Sequence, residues 1–383
     1  MTTTTPDAAR VQTWADRADV AQHSVDLLYG AAPPQLLHNG HPEVADGTFN
    51  YWWLAHVVDC RLDAHLRTGD EAWLDAARAT AANIRERNDG SLFNDYFDDM
   101  LWYALALLRL AAATPDDAER DAVEADVVAL WKHVVDHGWN DTHGPSLSWR
   151  KQQPGYKNTP ANGPLAILGA RLARRTGDER YLDRALTTVA WLEAHLVGPD
   201  GFVEDGLGRE GGSAVDTHWR FTYNQGLYIG ACVELYMSTG DAGWLDKAER
   251  TALTSVRELA VGGVFRREGE LVDDDVPDTA GGDVGLFKGV WYRYAALLLD
   301  ERAVPEVESL VRSSTDALWE HGLVALDDVA RADGAPPAAV VGLGRAGVVL
   351  RPGDDWARPA PTQVGYSTVL SAVMALEVRA RQG

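Results

Sequence analysis

Three stretches of the chain repeat one phrase: Arg67-Thr68-Gly69-Asp70 followed by Trp73-Leu74-Asp75, Arg175-Thr176-Gly177-Asp178 followed by Tyr181-Leu182-Asp183, and Ser238-Thr239-Gly240-Asp241 followed by Trp244-Leu245-Asp246. Each time, an apolar pattern of helical period ends before the glycine and another begins after the aspartate. Glycine enters the left-handed conformation that stops a helix without steric cost, and an aspartate oxygen accepts from the free amides that open the next one. Each phrase therefore reads as a tight turn between two antiparallel helices. Pro115-Asp116-Asp117 reads as a fourth, degenerate copy. A helix pair recurring every ~55–60 residues is the signature of an array or closed ring of helical hairpins.

Working outward from these turns, periodicity and caps place twelve helices at about 7–29, 49–67, 71–88, 96–113, 116–137, 160–175, 179–196, 222–239, 242–258, 284–301, 305–321 and 365–381. Strands are scarce; 264–272 reads as a small hairpin turning at Glu268-Gly269. Connections after even-numbered helices are two or three residues long. Those after odd-numbered helices are mostly long, roughly 20–40 residues, with only the segment around Asp89-Gly90 short. The alternation predicts an all-α, single-domain (α/α)6 toroid of six hairpins over residues 1–383. The even helices form its inner ring, and their N-termini share one face with the long loops.

The composition narrows the function. A net charge of −22 argues against a nucleic-acid backbone or an anionic membrane surface as partner. No run of eighteen apolar residues is present to span a membrane. The start, Met1, Thr2 to Thr5, Pro6, Asp7, has neither the basic nor the apolar region of a secretory signal, so a cytoplasmic location is expected. Two cysteines, Cys60 and Cys232, exclude a disulfide framework and a Cys-rich zinc site. They read as free core thiols on inner helices too far apart to bridge. The 14 tryptophans suit a large core and also the walls of a sugar site.

The segments that open the even helices are rich in amides, hydroxyls and rings. They include Asn50-Tyr51-Trp52-Trp53-Leu54-Ala55-His56, Asn94-Asp95-Tyr96-Phe97-Asp98-Asp99, Tyr156-Lys157-Asn158-Thr159-Pro160-Ala161-Asn162, Phe221-Thr222-Tyr223-Asn224-Gln225 and Asp283-Val284-Gly285-Leu286-Phe287-Lys288. In a toroid all of them converge on one cleft, where amides and hydroxyls bind sugar hydroxyls and rings stack on pyranose faces. Asp98-Asp99 is the one carboxylate pair among them. Glycosidic cleavage needs two carboxyl groups, and neighbours in a first helical turn can hold theirs about 5–5.5 Å apart, the spacing of retaining enzymes. The blander reading is that Asp95 caps the helix while Asp98 and Asp99 complement its dipole. His56 and Asp59 share a helix face as metal ligands can, but no second pair accompanies them. Asp273-Asp274-Asp275 reads as a solvated acidic loop or a calcium loop. Lys157 and Lys288 read as ligand contacts or as helix-surface lysines.

The run Tyr96-Phe97-Asp98-Asp99-Met100-Leu101-Trp102-Tyr103-Ala104-Leu105-Ala106 resembles the aromatic-Asp-Asp-x-x-Trp-x-x-x-Ala signature of glycoside hydrolase family 76, the endo-α-1,6-mannanases and their fungal cell-wall relatives. The similarity continues through 51–56, 157–164, 221–226 and 286–289, and covers about 45–300. It implies an (α/α)6 fold and a retaining double displacement on α-mannan or mannooligosaccharides, with Asp98 as nucleophile, Asp99 as acid/base and no metal or organic cofactor. Trp52, His56, Asn94, Tyr96, Asn158, Asn162, Tyr223, Asn224, Gln225 and Lys288 become the expected sugar contacts. The segment 327–358, with Ala335-Pro336-Pro337, fits the family pattern poorly and is a candidate to reshape one end of the cleft. Four other readings compete. They are a transglycosylase or a sugar epimerase using His56 and His218 on the same toroid, a magnesium–diphosphate site at Asp95-x-x-Asp98-Asp99, and a carbohydrate-binding toroid with a dead site.

Overall fold

The computed structural model describes residues 13–266, 268 and 279–382. Its α-helices are α1 (Trp14–Tyr29), α2 (Tyr51–Thr68), α3 (Glu71–Arg87), α4 (Phe97–Ala113), α5 (Asp117–Gly138), α6 (Thr159–Thr176), α7 (Glu179–His195), α8 (Thr222–Thr239), α9 (Gly243–Leu259), α10 (Val284–Glu301), α11 (Pro305–His321), α12 (Pro337–Ala346) and α13 (Tyr366–Gln382). Helices α2, α4, α6, α8, α10 and α13 pack each on the next, and α13 closes back on α2. Outside this ring α3, α5, α7 and α9 each cover the inner helix that precedes them, α1 covers α13, and α11 lies against α9, α10 and α13. The chain is an (α/α)6 toroid.

The repeated turns work as their chemistry dictates. Gly69, Gly177 and Gly240 sit at φ 70°, 73° and 73°. The carboxylates that follow accept helix-opening amides: Asp70 from Ala72 at 2.9 Å, Asp178 from Arg180 at 3.0 Å and Asp241 from Gly243 at 2.9 Å. In the degenerate copy Asp116 accepts from Glu119 at 2.8 Å. The inner helices are covered on nearly every side; twelve of the 17 residues of α4 are buried.

The structure departs from expectation in the long loops. They carry two- and three-residue strands, too short for any alternating pattern to announce them. Strands Gly40–His41, Gln363–Gly365 and Thr279–Ala280 form one sheet in that spatial order. Strands Lys157–Asn158 and Gly206–Leu207 form a pair beside the start of α6. Val264-Phe265 does form a hairpin strand, but with the preceding Ala260-Val261 across Gly262-Gly263. Gly269 and Asp273 to Asp275 lie outside the described residues. Segment 327–358 contains the unexpected helix α12, which packs on α1. None of its residues lines the cleft described below. Cys60 and Cys232 are free and buried.

Candidate active site

The N-terminal ends of the inner helices enclose a cleft of about 640 Å³. Asp98 and Asp99 stand in it at the second and third positions of α4, partly buried. Asp95 does not cap the helix: the N-cap is Tyr96, which makes no side-chain capping bond. Asp98 Oδ1 instead accepts the Asp99 amide at 3.1 Å, and its Oδ2 accepts Trp149 Nε1 at 3.0 Å. Asp99 Oδ2 accepts one bond, from Asn94 Nδ2 at 3.0 Å. Burial raises the Asp98 carboxyl to about 7 against the pull of its two donors. Burial and then the adjacent Asp98 charge drive Asp99 well above the ordinary carboxylate range, opposed only by Asn94. Two neighbouring acids thus have different surroundings: Asp98 is the better stabilised anion, and Asp99 is the one that keeps its proton.

A third carboxylate, Asp283 at the start of α10, contributes to raising both. Its Oδ1 accepts Trp52 Nε1 at 3.0 Å and Trp53 Nε1 at 2.8 Å. Rings form the walls. Tyr223 stacks on Phe287 at 3.8 Å, nearly parallel, and Trp52 lies 6.2 Å from Trp102. On the far wall Asp205 is buried and accepts four donors: Tyr223 Oη at 3.0 Å, Asn224 Nδ2 at 3.0 Å, Tyr156 Oη at 2.9 Å and an Arg209 guanidinium nitrogen at 2.7 Å. Burial nevertheless raises its carboxyl.

Of the ten expected sugar contacts, Trp52, Tyr96, Asn158 and Tyr223 line the cleft. The other six are set behind it, each for a physical reason. Asn94 acts through Asp99. Asn162 is wholly buried and clips the Leu147 amide and carbonyl to α6. Gln225 does the same for Val203. Asn224 is spent on Asp205. Lys288 is buried 3.9 Å from Glu268. His56 lies beneath Trp52 and Trp102, its ring centroid 5.6 and 4.9 Å from theirs, and burial lowers it to about 3, so it is a neutral ring of the floor. His218 is exposed and does not line the cleft, so the histidine pair an epimerase would use is not assembled. Asp59 is paired with Arg109 at 2.6 Å through one oxygen, and its other oxygen lies 3.9 Å from His56 Nδ1. Lys157 is buried, donating to the Ser146 carbonyl at 2.8 Å, and burial lowers it to about 7.

Sequence reasoning missed Trp149, Asp205, Arg209, Trp219 and the acceptor role of Asp283. The first four sit in long loops, where no periodicity marks an inward side chain. Asp283 was visible as an acid opening an inner helix.

Residues 13–325 match the profile of the family described as Glycosyl hydrolase family 76. The mannan endo-1,6-α-mannosidase DCW1 of Saccharomyces cerevisiae is 26% identical over 288 residues, 69% of this chain and 60% of that protein. Its namesake from Candida glabrata is 29% identical over 224 residues, 51% of this chain and 48% of that protein. The matches thus span about half to three fifths of the length of these curated relatives. Among solved structures, the Lin0763 protein of Listeria innocua is 38% identical at a TM-score of 0.84, covering 97% of this chain and 98% of that one. The α-1,6-mannanase GH76A of Salegentibacter sp. HEL1_6 has been solved with α-1,6-mannotriose as an inactive variant in which two consecutive aspartates are asparagines. It is 30% identical at a TM-score of 0.82, covering 97% of this chain and all of that one. With the family profile matched over most of its length, this chain belongs to glycosyl hydrolase family 76.

Proposed function

We propose that this protein is a retaining glycoside hydrolase that cleaves α-1,6-linked mannan or mannooligosaccharides by double displacement. The observation that carries this is the unequal pair in the cleft, Asp98 accepting two donors beside Asp99 accepting one. The inactive Salegentibacter mannanase, altered at two consecutive aspartates and holding α-1,6-mannotriose, supports the same substrate class.

Asp98 attacks the anomeric carbon from the face opposite the leaving oxygen, while Asp99 passes its proton to that oxygen. A covalent glycosyl–Asp98 ester forms and the glycosidic C–O bond breaks. Asp99, now ionised, takes a proton from water. The water attacks the same carbon and expels Asp98, which inverts the centre a second time. Trp52, Tyr96, Asn158 and Tyr223, which line the cleft, hold the sugars against this pair in this reading.

Asp98→Asn and Asp99→Asn should each lower turnover of α-1,6-mannooligosaccharides by about 10³-fold or more with the fold intact. Asp99→Asn should recover glycosyl-enzyme formation on an aryl α-mannoside, whose leaving group needs little protonation. Near-normal activity of either variant on an unactivated oligosaccharide refutes the assignment. Proton NMR of the first-formed product should show the α-anomer; the β-anomer would mean inversion and remove Asp98 as nucleophile.

A further inference from the structure

We propose that Trp219 is the stacking platform of a sugar subsite remote from the scissile bond, and that it makes the enzyme prefer long α-1,6-mannan chains to short ones. This rests on the α-1,6-mannosidase reading above. All 14 tryptophans lie among the described residues, and Trp219 alone is exposed, at 44%. A large apolar ring left in water is worth explaining when the other thirteen are covered. This one also lines the cleft.

The ring is held before any ligand arrives. The Arg209 guanidinium lies 4.4 Å from its centroid, and Phe221 meets it edge-on at 5.5 Å. Arg209 is itself fixed. It bonds Asp205 at 2.7 Å and Asp216 at 2.8 Å, and it lies 4.5 Å from the Tyr156 ring. Tyr156, Arg209 and Trp219 therefore make one stack, tied to the far wall by two carboxylates. A platform that is already immobile gives up little side-chain freedom when a pyranose settles on it. Its flat apolar surface suits a sugar's C–H face.

The sugar over Trp219 would be a different one from the sugar attacked. Trp149 bonds Asp98, Tyr156 lies 5.7 Å from Trp149, and Arg209 and Trp219 follow in succession. Three side chains separate the nucleophile from the platform. A stacking contact made equally in the ground and transition states acts on KM rather than kcat, and the platform is assigned a contact of that kind.

The test compares wild type, Trp219→Ala and Trp219→Phe on α-1,6-mannobiose, mannotriose, mannotetraose and mannohexaose. For the alanine variant, kcat/KM on the longest substrates should fall about 3- to 10-fold through KM, as expected for loss of one ring contact. The loss should be smallest on the shortest substrate cleaved, and phenylalanine should restore part of it. An equal loss at every chain length, or none at any, overturns the platform while the hydrolase reading stands. A wild type that cleaves none of the four overturns both. Iodide quenching covers the case in which the alanine variant fails to fold. In Asp98→Asn, mannotetraose should shield the exposed tryptophan fluorescence from iodide more than mannobiose does; equal shielding overturns the platform.

Discussion

Of the four carboxylates that line the cleft, Asp98, Asp99 and Asp283 are separated in their tasks by the donors around each. Asp98 takes two hydrogen bonds, Asp99 one, and Asp283 two indoles on a single oxygen. The charge of Asp283 helps to raise both members of the pair. Asp283→Asn removes that charge while keeping an oxygen for Trp52 and Trp53, so the Asp99 carboxyl should drop. Protonated Asp99 is the acid of the first step, and activity is lost as pH rises through its pKa. The alkaline limb of kcat/KM should therefore move to lower pH in Asp283→Asn, and an unmoved limb would deny Asp283 this influence. At this scale the sequence was legible only where helical spacing frames it. Asp98, Asp99, Trp52 and Tyr223 could be found because each opens an inner helix. Asp205 and Arg209 could not, because a 26-residue loop of irregular backbone folds them inward by bonds made to each other.

Between elements, close approach is set by small residues. A Cβ on Gly226 of α8 would meet the Trp291 Cα of α10 at 2.6 Å, and one on Gly230 would meet the Tyr294 ring at 2.4 Å. On α10, a Cβ at Gly289 would meet the Ser371 Cα of α13 at 2.8 Å. Adjacent inner helices thus touch through backbone, and the ring is narrow enough for Tyr223 of α8 to stack on Phe287 of α10. Gly226→Ala forces backbone apart and should destabilise by about 1–3 kcal/mol. Because the stack lies one turn above it, kcat should fall with Tm. Gly344→Ala is the control. It lies in α12, where an added Cβ meets nothing within 4 Å, and it should be neutral or gain up to about 1 kcal/mol in thermal unfolding. Equal Tm losses in the two would refute the packing argument. Helix α12 also shows where pattern reading fails. Its ten residues begin after Pro336 and hold Gly342 and Gly344, so local propensity argues against a helix. It forms because Ala339, Leu343 and Ala346 recur on one face and bury there.

At the scale of the molecule, a ring of six helices leaves an axis to be filled, and this chain fills its lower part with ions. Asp59 and Asp63 come from α2, Arg109 from α4, Arg171 and Arg174 from α6, Glu234 from α8, Arg293 from α10 and Glu377 from α13. Arg109 bonds Asp59 and Asp63, Arg293 bonds Asp63 at 2.8 Å, Arg171 bonds Glu234 at 2.6 Å, and Arg67 bonds Glu377 at 2.8 Å. Arg109 and Arg293 each stand ten residues beyond a cleft carboxylate on the same helix, so the belt lies roughly 15 Å below the site. The alternation of loop lengths foretold the ring, but not this belt. A lone arginine in an apolar helix reads as a surface residue until the fold brings its partners from other helices. Burial alone would raise the Asp63 carboxyl; the charges of Arg109 and Arg293 overcome that and hold it at about 2. Asp63→Asn keeps the volume and leaves two part-buried guanidiniums without that charge, which should cost up to about 3 kcal/mol at neutral pH because Arg109 keeps Asp59. The pH dependence follows from the depressed pKa. The contribution of Asp63 is whole above the unfolded-state value of about 4 and is lost as pH falls toward about 2. Urea unfolding of wild type and variant should therefore show a stability gap that is constant from pH 7 to 5 and shrinks steadily below pH 4. A gap that does not change with pH would mean that the loss comes from packing rather than from charge.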